Sequence, residues 1–332
     1  MRALALIADR KLELADVPSP PPPAADEVQI RVKAVALNHL DLWGYRGMAF
    51  AKRKMPVVVG AEAAGEIAAL GSDAAPFKPG EPVVMYGAMT CGTCRACREG
   101  RDNLCENVGG IMGFHIDGFA RDLVNMPARL VIPVPPGVAP RDAACAPIAF
   151  ATVQHMLFDN ARLEPGETVL VHAGGSGIGT AAIIMAKAIG CTVITTVGDD
   201  AKAEKARALG ADHVINYQTD RFEGVVRKLT GKKGVDVVFE HVGAQTFNGS
   251  LLCLKRGGRL VTCGECKACR EGRDNLCEEV PKRGIMGFHI DGFARELINM
   301  PARLTIKVPD GVSLRDAACA PIAFATVTLP AK

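Results

Sequence analysis

Thirty residues, Thr168–Val197, constrain the fold of this chain more than any other stretch; they read TVLVHAGGSGIGTAAIIMAKAIGCTVITTV. The apolar run Thr168–His172 predicts a strand, and the cluster Gly174-Gly175-Ser176-Gly177-Ile178-Gly179 predicts a tight turn. Thr180–Ile189 has a helical pattern that stops at Gly190, and Cys191–Val197 is a second β-branched run. Strand, glycine turn, helix and strand make the first half of a dinucleotide-binding unit. Glycine lets the backbone turn tightly and approach a pyrophosphate. The helix that follows aims free N–H groups and the positive end of its dipole at the phosphates. Gly174, Gly175, Ser176, Gly177, Ile178 and Gly179 are therefore the candidate phosphate-binding residues. Ser176 stands where the second glycine of a G-x-G-x-x-G pattern belongs, which turns a hydroxyl toward the pyrophosphate. An unliganded strand–helix turn is the alternative.

The 332 residues suit two domains, each with its own core. A net charge of +3 with 23% charged residues favours neither a nucleic-acid nor a membrane partner. No apolar segment approaches a membrane span, and the strand-like N-terminus has no signal-peptide core, so a cytoplasmic protein acting on a small molecule is expected. Residues 1–85 read as short strands: Arg2–Ala8, Lys11–Val17, Glu27–Leu37, Val57–Gly60, Gly65–Leu70 and Pro82–Met85, with the proline run Pro18–Pro23 as a surface connection. After Val197 the pattern alternates: helix Ala201–Leu209, strand His213–Asn216, helix Phe222–Leu229, strand Val235–Glu240, helix Thr246–Leu254, strand Arg259–Cys263. A barrel-like β unit thus precedes an α/β unit with a parallel sheet.

Of twelve cysteines, eight fall in two clusters with metal-ligand spacing. Cys91, Cys94, Cys97 and Cys105 form C-x2-C-x2-C-x7-C, which can close a tetrahedral structural zinc site. An iron–sulfur cluster competes. The interval before Cys105 is longer than in the bacterial ferredoxin pattern, and no proline follows it. Cys145, Cys191 and Cys253 read as small buried residues.

Together with Asn38-His39-Leu40-Asp41, Gly60-Ala61-Glu62-Ala63-Ala64-Gly65, Gly210–Tyr217, Gly234–Gly243 and Gly257–Gly264, these features resemble the medium-chain dehydrogenase/reductase family over residues 1–264. The resemblance implies a GroES-like barrel domain with a structural zinc lobe (1–150) and a Rossmann doubly wound parallel sheet (151–262), with hydride transfer between them. It also narrows the chemistry. In the zinc alcohol dehydrogenases of the family, a cysteine stands at Asn38, a histidine at Ala61 and a cysteine near Ile148, and Leu40 replaces a proton-relaying hydroxyl. Glu62 alone does not hold a catalytic zinc. Asn38-x-x-Asp41 is similar to the zinc-free quinone and enoyl reductases, which implies Asn38, Asp41 and Tyr45 as catalytic candidates. Tyr45 could donate a proton, although a packed aromatic also explains it, and Asp41 could only brace the loop. The resemblance implies coenzyme contacts from His39, Lys202, Tyr217, His241 and Val242. Val197 stands where an NAD-selecting carboxylate would, and Lys202 and Tyr217 match holders of a 2′-phosphate. NADPH is expected over NADH, with Asp199 and Asp200 pulling the other way.

From Thr262 the chain repeats itself. Residues 262–280 match 90–108 at 16 of 19 positions, and 284–327 match 110–153 at 37 of 44. The segment 263–332 therefore carries Cys263, Cys266, Cys269 and Cys277 with the same spacing, a second candidate zinc site. It stands where the family's sheet, and usually its dimer edge, would be completed, so the Rossmann unit reads as truncated and a homodimer is left open. A recombination or assembly join at the shared T-C-G is the simplest account. A chimeric chain that binds zinc and nucleotide without turnover, a zinc alcohol dehydrogenase and a zinc-module interaction protein are the alternatives to a reductase.

Overall fold

The computed structural model describes residues 1–47, 53–74, 76–243 and 245–262. The expected second zinc site, Cys263, Cys266, Cys269 and Cys277, lies outside them. Among the described residues, Met1–Ala151 forms one compact unit and a second begins at Thr152.

The first unit is built on antiparallel strands. β1 (Arg2–Ala8) pairs with β2 (Lys11–Asp16) and, on its other side, with the short β4 (Val57–Val58). β3 (Glu27–Ala36), β5 (Glu62–Leu70), β6 (Pro82–Met85), β7 (Leu123–Pro127) and β8 (Val131–Pro133) form a five-stranded sheet in the order β7-β3-β5-β6-β8. The period-two alternation of β3 puts Val28 and Ile30 into a core with Ile67, Val83, Met85, Phe119, Val124 and Met126. Four short helices decorate this unit: α1 (His39–Tyr45), α2 (Arg95–Arg98), α3 (Pro140–Ala143) and α4 (Ala146–Val153). Cys145, expected to be buried, is exposed, because it lies in the turn between α3 and α4.

The second unit opens with a π-helical stretch, Gln154–Asn160, that continues α4. Its strands β9 (Thr168–Val171), β10 (Thr192–Val197), β11 (His213–Asn216), β12 (Val235–Glu240) and β13 (Leu254–Thr262) form a parallel sheet in the order β11-β10-β9-β12-β13. Four helices connect them: α5 (Gly177–Ala188), α6 (Asp200–Ala208), α7 (Phe222–Leu229) and α8 (Phe247–Cys253). The strand order reverses between β9 and β12, the switch point outside which open parallel sheets bind ligands. All six residues of β12 are buried, as a strand covered on both faces requires. Arg259 on β13 ties this sheet to the connection before β9: it donates to both carboxylate oxygens of Glu167, each at 2.6 Å, and to the carbonyls of Ala161 and Arg162. No helix among the described residues is long and apolar enough to cross a membrane.

Candidate active site

The glycine turn leaves β9 through Ala173, whose φ of +47° lies in the left-handed region. The glycines that follow are needed for different reasons. A Cβ on Gly174 would stand 2.3 Å from Thr195 Oγ1, and one on Gly179 would stand 2.2 Å from the Ala173 carbonyl oxygen. Those two are glycine so that strand, turn and helix can pack. A Cβ on Gly177 would meet nothing within 4 Å. Its glycine is unexplained by the protein's own atoms and suits close approach of a ligand to the first turn of α5.

Ser176 does not present its hydroxyl simply as a phosphate contact. It is the N-cap of α5, and its Oγ accepts from the Gly179 N–H at 2.9 Å. A helix leaves its first N–H groups without intrahelical partners, and a serine side chain satisfies one of them. The hydroxyl proton is what remains for an anion, beside the N–H groups of Gly177 and Ile178.

A groove of about 460 Å³ opens beside the turn, lined by Gly174, Gly175, Thr180, Lys202, Lys205 and Leu209, among others. Lys202 lies along Gly175, where its Cδ would be 2.8 Å from an added Cβ. Tyr217 is half exposed, and its hydroxyl would be 2.5 Å from a Cβ on Gly198, so glycine there admits the ring. The structure thus brings Lys202, Tyr217 and the glycine turn to the C-terminal ends of β9, β10 and β11, and adds Lys205, which the sequence did not single out. Asp199 caps α6, its carboxylate accepting from the Lys202 N–H at 2.8 Å and from Lys202 Nζ at 2.7 Å. Those hydrogen bonds hold Asp199 below the usual carboxylate range and Lys202 above the usual amine range.

On the neighbouring strand end, His241 Nε2 donates to the His172 carbonyl oxygen at 2.8 Å, and the Val242 N–H donates to Glu240 Oε1 at 2.8 Å. Burial drives the imidazole of His172 down to about 4, with the Glu240 carboxylate opposing and His241 reinforcing the drop. His172 is thus neutral at ordinary pH. Neither His172 nor Glu240 was a sequence-based candidate. The available signal was a titratable residue at the C-terminal end of each of two mainly apolar runs, Thr168–His172 and Val235–Glu240.

In the first unit, Asn38 is the N-cap of α1 and Asp41 its third helical residue; the Asn38 N–H donates to Asp41 Oδ2 at 2.8 Å. Burial pushes the Asp41 carboxyl up, opposed by the backbone N–H groups of Asn38, Gly60 and Ala61. Asn38 Nδ2 donates to Glu62 Oε1 at 2.6 Å, and the Ile148 N–H donates to Glu62 Oε2 at 2.6 Å. Ile148 lies in the first turn of α4, so its N–H has no intrahelical partner and the carboxylate sits at the favourable end of the helix dipole. Glu62 is 2% exposed. Burial raises its carboxyl, the two donors lower it, and the Asp41 charge adds to the rise. Tyr45, a catalytic candidate, is partly buried and packs against the core cluster of Leu6, Val57 and Val59. His39 is exposed, its ring edge-on to Trp43 at 5.6 Å.

The sulfurs of Cys91, Cys94, Cys97 and Cys105 all lie within 4.8 Å of one another, and those of Cys91 and Cys97 are 3.9 Å apart. Four thiolates around one zinc at ~2.3 Å stand about 3.8 Å apart, so the donor set fits a structural zinc. The N–H groups of Thr93 and Cys94 donate to Cys91 Sγ and lower its pKa, whereas burial and neighbouring sulfurs raise that of Cys97. Ionising all four together therefore calls for a cation. Among the described residues this is the one group of three or more His, Cys, Asp or Glu side chains close enough to hold a metal ion.

Comparison with known proteins agrees with this geometry. Residues 24–136 match the alcohol dehydrogenase GroES-like domain, and residues 177–287 match the zinc-binding dehydrogenase family. The chain is 32% identical over 268 residues to sorbitol dehydrogenase of Bacillus subtilis (strain 168), covering 80% of this chain and 75% of that protein. It is 35% identical over 246 residues to acryloyl-coenzyme A reductase of Metallosphaera sedula, covering 74% and 70%. The crystal structure of an NAD-dependent alcohol dehydrogenase superposes with a TM-score of 0.74 at 41% identity, covering 78% of this chain and 76% of that one. With a GroES-like unit, a Rossmann sheet and relatives of this kind, the chain belongs to the medium-chain dehydrogenase/reductase family and is an oxidoreductase.

Proposed function

We propose that this oxidoreductase uses NADPH to reduce an activated C=C, quinone or carbonyl substrate without a catalytic metal. The observation that carries the reading is the pairing of Glu62 with Asn38 and Ile148. Where zinc alcohol dehydrogenases of the family place three ligands, this chain has Asn38, Ala61 and Ile148. Glu62, the remaining oxygen donor, has both oxygens engaged by N–H groups. A metal there would have to displace two hydrogen bonds for one carboxylate, too few ligands for zinc.

Bound NADPH would supply the hydride. The chain's own residues bind and orient. The first turn of α5 and Gly177 would receive the pyrophosphate. Lys202 and Lys205 offer positive charge at the groove where a 2′-phosphate would lie, and Tyr217 offers a hydroxyl beside Gly198. No carboxylate stands at Val197, and Asp199 is drawn toward its own helix, where it caps α6 and pairs with Lys202. Asn38 Nδ2 has a second hydrogen beyond the one held by Glu62, available to a substrate carbonyl oxygen. The cysteine lobe, Cys91 to Cys105, would hold one structural zinc.

NADPH consumption with an α,β-unsaturated carbonyl or a quinone, set against NAD(P)⁺ reduction with primary and secondary alcohols, tests the proposal. Turnover of the enone or quinone is expected. Alcohol oxidation that depends on added zinc, with no enone turnover, would replace this reading with the alcohol dehydrogenase one, the activity named for the solved relative.

A further inference from the structure

Four polar side chains of the second unit are buried where an apolar core would suffice: His172 after β9, Thr196 on β10, Glu240 at the end of β12 and Ser250 on α8 are all 2% exposed or less. Their protons can be placed by counting. Ser250 Oγ lies 2.5 Å from Glu240 Oε2 and 3.0 Å from the Thr246 carbonyl oxygen, both acceptors when Glu240 is ionised. Its single proton goes to one of them, so toward His172 Nε2, at 2.9 Å, it can only accept. Neutral His172 then carries its proton on Nε2, and Nδ1 accepts from Thr196 Oγ1 at 3.1 Å. Thr196 Oγ1 in turn accepts from the Ala173 N–H at 3.1 Å. The chain of donors runs one way, from the Ala173 backbone through Thr196, His172 and Ser250 to Glu240.

Both ends of this chain grip loops. At one end is Ala173, in the left-handed region, with the Gly174 N–H also held by the Thr196 carbonyl at 2.9 Å. At the other, Glu240 Oε1 accepts from the Val242 and Gly243 N–H groups at 2.8 and 3.1 Å and from Thr246 Oγ1 at 2.9 Å. These are the loops after β9 and after β12, the two strands flanking the switch point. A buried polar chain in which every member is satisfied specifies one geometry, because any misplacement strands a desolvated group.

We propose that His172, Ser250 and Glu240 form a positioning network that holds the Ala173–Gly179 turn and residues Val242, Gly243 and Thr246 in the one arrangement that receives the dinucleotide. The network rests on the reading of the glycine turn as the coenzyme site. It makes His172 a positioning residue: it touches neither coenzyme nor substrate and acts through the two loops.

The test combines NADPH fluorescence titrations on the full chain with imidazole ¹⁵N NMR of the wild type at neutral pH. Ser250→Ala cuts the chain, His172→Phe removes both ring contacts, and His172→Gln keeps a donor at the Nε2 position. Expected are a neutral His172 protonated on Nε2, a roughly tenfold rise in the NADPH Kd for folded Ser250→Ala and His172→Phe, and partial recovery in His172→Gln. A folded Ser250→Ala with the wild-type Kd would overturn the network. If the variants do not fold, the NMR decides alone: a charged ring, or a proton on Nδ1, contradicts the assignment. Wild-type chain with no saturable NADPH binding would instead strike the coenzyme reading itself, and the network's purpose with it.

Discussion

Gly177 and Gly179 stand two residues apart in one turn, and they should fail in opposite ways. Gly179→Ala drives a Cβ against the Ala173 carbonyl oxygen and should lower stability by roughly 2–4 kcal/mol. Gly177→Ala meets no protein atom, so the thermal midpoint should barely move while the NADPH Kd rises at least roughly tenfold. Melting curves beside nucleotide titrations separate the two; equal loss of stability in both would refute the division. Glu62 gives a pH signature. Its folded pKa is raised, chiefly by burial. Between its unfolded and folded values the native state binds the extra proton, so its titration lowers stability as pH rises through that window. Glu62→Gln does not titrate, and the melting temperature of the wild type relative to the variant should fall as pH climbs above about 4.3. A gap that widens in favour of the wild type would contradict the assignment. The sequence revealed that these residues matter but not how. The division of the glycines depends on Thr195 and Ala173 standing behind them. The engagement of Glu62 depends on Ile148, 86 residues away.

At the scale of elements, periodicity located most of the second unit. The bounds of β11, α7 and β12 are those the residue pattern predicts, since apolar alternation and glycine stops act locally. α5 begins three residues before the expected Thr180, because Ser176 caps it and the glycines join its first turn. β13 begins at Leu254 rather than Arg259, because Leu254 already pairs with Val235; the register then shifts, and the regular ladder starts at Arg259 opposite Val237, where the residue pattern places it. Ser176→Ala removes the cap and should cost about 1 kcal/mol by chemical denaturation, with the fold retained. An unchanged midpoint would mean the Gly179 N–H finds another partner. Lys202 belongs to this scale too, since it extends from α6 over the turn. Lys202→Ala should weaken NADPH binding and leave NADH binding nearly unchanged, and equal losses for both coenzymes would remove Lys202 from the 2′-phosphate site.

At the scale of the whole molecule, the order β barrel, cysteine lobe and parallel sheet was legible because each part carries a period or spacing of its own. The buried His172–Glu240 chain was not: residues from the turn after β9 and from β10, β12 and α8 meet only once the sheet is assembled. The lobe makes a metal prediction. Cys94→Ser should lower bound zinc by one equivalent per chain relative to the wild type, measured by elemental analysis, and an unchanged content would place the metal elsewhere. The most direct measurement is a fluorescence titration of the purified full-length chain with NADPH and, in parallel, NADH. Saturable binding of both, with NADPH the tighter, is the predicted result and would support the phosphate preference that the Lys202→Ala comparison then localises. Saturable binding of neither would contradict the coenzyme site and end the reductase account for this chain.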